Sequence, residues 1–95
     1  MSKKDAYREK REAELKEIQA RIDLLKAKAE SSKANAKVSY HGQIEKLQAK
    51  RDKAAEKLEE IKNVGEDTWE EIKGIIDDTF TEMKDILSES VKSPV

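Results

Sequence analysis

Apolar side chains return along this chain every three or four residues, and that rhythm constrains its fold more than any other feature. Leu15, Ile18, Ile22, Leu25 and Ala29 follow in steps of three, four, three and four. Tyr40, Ile44, Leu47, Arg51, Ala54, Leu58 and Ile61 resume the alternation. Side chains so spaced share one face of an α-helix, and sustained alternation makes that face a coiled-coil seam. One seam position, Arg51, is charged. Its apolar stem is expected to lie along the seam while the guanidinium turns to water.

Composition agrees with helices. Ala, Glu, Lys, Leu and Arg supply 50 of the 95 residues, the share typical of coiled coils and long helices. Only 24 residues are large and apolar, a thin core for a self-sufficient monomer, so association between chains is expected. The residues assigned to an oligomer seam are Leu15, Ile18, Ile22, Leu25, Tyr40, Ile44, Leu47, Leu58 and Ile61, joining two or three copies.

Between the two seam stretches, residues 26–37 hold alanines and no large apolar side chain. The eleven-residue step from Ala29 to Tyr40 fits a stutter, which locally unwinds a supercoil. Two all-α architectures follow. The favoured one is an unbroken coiled-coil helix over 3–62, about 90 Å long, with a shorter amphipathic helix folded back on it. The alternative is an antiparallel three-helix bundle with a turn near 31–35. The absence of Gly and Pro from 31–35, among strong helix formers, favours the first. Gly42 costs that helix about 1 kcal/mol and marks its expected point of bending.

A connection is expected at 63–67, with Gly65 in the left-handed position that ends helices. Asp67-Thr68-Trp69-Glu70 has the spacing of a capping box. A second helix over 68–91 follows, its docking stripe made by Trp69, Ile72, Ile76, Phe80 and Met83, continued by Leu87 and widened by Ile75, Thr79 and Ile86. Ser93-Pro94 ends it, leaving a tail at 92–95. Residues 1–62 carry 17 basic and 12 acidic side chains, net +5; residues 63–95 carry three and nine, net −6. An acidic helix folding back on a basic one in a single helical domain, 1–95, has charge as well as apolar burial in its favour.

Little in the sequence points to chemistry. Without Cys, disulfides, thiolate zinc sites and thiol catalysis are excluded. His41 and Glu45 stand one helical turn apart, but no third or fourth metal ligand accompanies them. Asp77 and Asp78 are adjacent, so on a helix they diverge and read as a solvated face. Gly42, Gly65 and Gly74 are isolated, without a phosphate-binding loop, and no serine has a recognisable base. No catalytic residue, cofactor or metal is therefore expected, nor an enzyme. Basic residues alternate with acidic ones rather than clustering, and the pI is about 5.9, against nucleic-acid binding. No apolar run approaches a membrane span, and the opening residues lack a secretory signal. Weak membrane-surface association is left to the second helix, should it undock.

Several stretches carry a resemblance: Lys4-Asp5-Ala6-Tyr7, the run from Ala34 to Tyr40, the run from Gln43 to Asp52, and Asp67-Thr68-Trp69-Glu70-Glu71-Ile72-Lys73. In these the chain resembles a family of small bacterial coiled-coil proteins labelled as stress-response proteins, found in proteobacteria and cyanobacteria. The resemblance implies a cytoplasmic protein acting through protein–protein contact, with an as yet unknown partner and no catalytic residues. Two other readings stand beside it: a desiccation-type hydrophilic protein, disordered until it meets a membrane or partner, and an adaptor that docks a partner with its acidic helix.

Overall fold

The computed structural model describes residues 2–92. They form three long helices: α1, Lys3–Glu30; α2, Ala34–Glu60; and α3, Glu66–Lys92. A 3-10 turn at Ile61–Asn63 lies between α2 and α3. The chain is all-α as expected, but the long helix over 3–62 is not formed. Ser31, Ser32 and Lys33 interrupt it, and the alternative antiparallel three-helix bundle is the architecture observed, 49 Å long and 19 by 18 Å across.

The reason lies in what the seam has to face. One straight helix leaves its apolar stripe without a partner inside the chain. Folding at 31–33 lets the two halves cover each other, burying Leu15, Ile18, Ile22 and Leu25 of α1 together with Tyr40, Ile44, Leu47, Leu58 and the following Ile61. All nine residues of the expected oligomer seam thus pack within one chain. The alanine stretch that weakens a straight seam suits a hairpin: Ala29 and Ala36, both buried, allow close approach beside the turn. Helix propensity at 31–35 is real, but it is weak enough for tertiary burial to override. Gly42 does not end α2, which runs through it.

Helix ends are set locally. Ser2 caps α1, its hydroxyl accepting from the Asp5 amide at 3.1 Å. At the other end the Ser31 amide donates to Ala27 O, and the Ser32 hydroxyl donates to Lys28 O at 2.6 Å. Gly65 is not left-handed; no glycine has a positive φ. Instead it precedes α3, and the Trp69 amide donates to its carbonyl at 3.0 Å. Helix α3 therefore starts at Glu66, two residues before the expected Thr68, with Asp67 inside its first turn rather than capping it. Lys92 is still helical, and the expected stop at Ser93-Pro94 lies outside the described residues.

Helix α3 runs antiparallel to α2 and parallel to α1. Trp69, Ile72, Ile76, Phe80, Met83 and Leu87 are all buried in the common core. Thr79 is buried too, its hydroxyl donating to Ile75 O at 2.8 Å, whereas Ile75 is exposed. Arg51 behaves as its stem suggests: it sits beside Leu15 and Lys16 of α1, and its guanidinium reaches Asp52 at 2.8 Å. Its Nε lies buried against the seam, with no protein partner among the described residues.

Candidate interaction surface

Helix α2 packs closely against both neighbours, while α1 and α3 approach each other much less closely. Side chains rather than backbone proximity therefore close the α1–α3 face. Among the described residues they close one end and leave the other open.

The closed end centres on Asp77. Its Oδ1 accepts from the Tyr7 hydroxyl at 2.6 Å and from Arg11 Nη2 at 2.8 Å. Its Oδ2 accepts from Lys73 Nζ at 3.2 Å. Arg11 also donates to both Glu14 oxygens at 3.2 Å, and its guanidinium lies 4.3 Å from the Phe80 ring centre, within cation–π range. The Tyr7 ring is tilted against Trp69 at 5.9 Å, and the Trp69 indole donates to Glu66 at 3.2 Å. Further along the face, Lys84 pairs with Glu14 at 3.5 Å.

Charge and burial in this clamp reinforce each other. Burial, helped by the hydrogen bond to Asp77, pushes the Tyr7 phenol up to about 12. Burial also works against the charged forms of Asp77 and Arg11. Hydrogen bonds from Tyr7, Arg11 and Lys73 outweigh it for Asp77, whose pKa is lowered; bonds to Asp77 and Tyr7 outweigh it for Arg11, whose pKa is raised. Over the physiological range Tyr7 stays a donor, Asp77 an anion and Arg11 a cation. The arrangement joins α1 to α3.

The open end lies toward the turn. Arg21, Leu24, Leu25 and Lys28 of α1 and Leu87 and Ser90 of α3 line a mainly apolar groove of about 400 Å³. Leu24 is 68% exposed. Among the described lining residues two are cationic and none is acidic. A smaller cleft continues along the same face past Ile18, Glu17 and Glu14. On α2, Val38 is 75% exposed.

The five expected docking residues, Trp69, Ile72, Ile76, Phe80 and Met83, are brought together in the core beneath this face. The clamp is not among the expected features. The solvated face expected for Asp77 and Asp78 holds for Asp78 alone. Tyr7 and Arg11 stand four residues apart, as do Lys73 and Asp77, so each pair shares a helix face; which faces meet is not a local property. His41 is exposed, and no three metal-ligating side chains gather among the described residues. No described helix is long and apolar enough to cross a membrane. Compared with protein-family models, curated proteins and solved structures, the chain matches none of them.

Proposed function

We propose that this chain is a non-enzymatic helical protein that works by protein–protein contact, with the open half of the α1–α3 face as its contact surface. The groove carries this reading, because Leu24 stands exposed there beside the buried Leu25 and Leu87, where the other half of the face is closed by the clamp. Arg21 and Lys28 at its rim suit an amphipathic helix with acidic flanks, a recurrent helix-in-groove mode. The non-enzymatic part rests on the sequence, which has no Cys and no serine with a recognisable base. A cytoplasmic role in a bacterial stress response rests on the sequence resemblance alone.

The packed core favours this reading over a chain disordered until it binds. Burial of the α3 stripe likewise moves the contact surface of an adaptor from the acidic helix to the groove. The test is a photo-crosslinking side chain placed at Leu24 in expressing cells, with Asp78 as the exposed control. A discrete adduct at 24, absent at 78 and lost when Lys28 is changed to Glu, is expected. Absence of an adduct at 24, or equal adducts at both positions, overturns the groove.

A further inference from the structure

We propose that two copies of this chain exchange α1 by straightening at Ser31–Lys33, so that α1 and α2 become one helix and each α1 packs on the other copy's α2 and α3. Three observations lead there. The first is phase. A hairpin requires an apolar stripe on each helix but sets no relation between the two stripes across its turn. Here Leu25, Ala29, Ser32, Ala36 and Tyr40 follow in steps of four, three, four and four, and all but Ser32 are buried. Straightened, the seam runs along one face from Leu15 to Ile61 with Ser32 and Arg51 as its polar positions.

The second is the turn itself. It contains no Gly or Pro and no positive φ. Ser31 is close to helical, with φ −92° and ψ 2°. Lys33 has a helical φ of −68° and departs through ψ, at 158°. The serine hydroxyls do not hold the turn shut. Ser32 donates to the carbonyl of Lys28 and Ser31 to that of Ala27, each four residues back, bonds that an unbroken helix also permits. As the N-cap of α2, Lys33 makes no side-chain cap bond, and no acidic residue occupies the first turn.

The third is that the exchange conserves contacts. The buried residues of α1, the Arg11–Asp77 pair and the Tyr7–Trp69 contact re-form between copies, as in any domain swap through a short hinge. Opening therefore loses the turn and gains a continuous helix.

Ala34→Pro separates the two forms. Ala34 is exposed and is the first residue of α2, where proline is favoured. The backbone of Lys33 already has the extended geometry that a following proline imposes. In the open helix the same proline sits mid-helix and clashes with the carbonyl of Glu30, disfavouring that form on the order of 100-fold per chain and about 10⁴-fold per dimer. The full chain, its Ala34→Pro variant and a Ser32→Ala, Lys33→Ala variant are refolded from denaturant at high concentration. Mass is read by light scattering and length by small-angle scattering.

The expected result is a wild-type dimer whose helix from Lys3 to Glu60 spans about 87 Å, against 49 Å for the closed chain. The proline variant gives helical monomer only, and the double alanine variant gives a larger dimer fraction than wild type. Equal dimer in wild type and Ala34→Pro overturns the exchange and leaves association through an outer surface. Monomer in all three also overturns it. The crosslinking test of the groove is read separately in either case.

Discussion

Replacing Asp77 with alanine removes the acceptor at which α1 and α3 are joined, and its cost can be worked from the geometry. The Tyr7 hydroxyl, at 2.6 Å, loses a bond to a charged group, worth about 1.5–3 kcal/mol. The Arg11 pair at 2.8 Å involves a guanidinium 14% exposed but a carboxylate 36% exposed, so solvent screening holds it to about 1 kcal/mol or less. Lys73 to Asp77 lies within one helix and adds about 0.2–0.5 kcal/mol. The three share one acceptor and do not add fully, so a loss of about 2–3 kcal/mol is expected. Asp78→Ala is the control. Asp78 is the next residue of the same helix and is exposed, so its replacement carries a similar gain in helix propensity and should stay within about 0.5 kcal/mol of wild type.

The assay is urea denaturation followed by circular dichroism, with the difference between the two variants as the readout. In a parallel thermal melt, at roughly 4–8 °C per kcal/mol for a domain of this size, their melting temperatures should differ by about 8–24 °C. The pH dependence has a definite sign. The folded pKa of Asp77 is depressed, so its contribution is present above the unfolded carboxylate value and is lost as pH falls through the folded one. The difference between variants should shrink in acid. For Tyr7, raised from 10.0 to about 12, stability is complete below pH 10 and declines as pH rises toward 12, a loss that Tyr7→Phe removes. If Asp77→Ala and Asp78→Ala unfold alike at neutral pH, or if their difference survives acid unchanged, the clamp is refuted.

Two further outcomes follow from the core and from the helix surfaces. Ile22 and Leu47 are fully buried, so Ile22→Ala or Leu47→Ala should each cost about 2–5 kcal/mol by urea titration, while Leu24→Ala at the exposed neighbour should cost far less. Gly42 and Gly74 lie inside helices, and an added Cβ would meet nothing within 4 Å. Gly42→Ala and Gly74→Ala should therefore each raise stability by about 0.8–1 kcal/mol, seen as a higher denaturation midpoint with an unchanged slope; a lower midpoint would contradict open space at those sites.

The sequence by itself determined that this chain is helical and which side chains leave water. Steps of three and four act over neighbouring turns of one helix, so Leu15 to Leu25, Tyr40 to Ile61 and Trp69 to Met83 could be assigned to buried stripes without any knowledge of what covers them. Only the tertiary structure decided the partners. Whether residues 31–33 continue a helix or turn was nearly balanced locally, since Ser and Lys tolerate either conformation at a cost of tenths of a kcal/mol per residue. The much larger burial of Ile22, Leu47 and their neighbours tipped it toward a turn. Tyr7 and Asp77 stand 70 residues apart, and no local pattern relates them; they meet because α2 holds α1 and α3 parallel on either side of itself. Closure of that face at one end and the groove at the other come from the same arrangement.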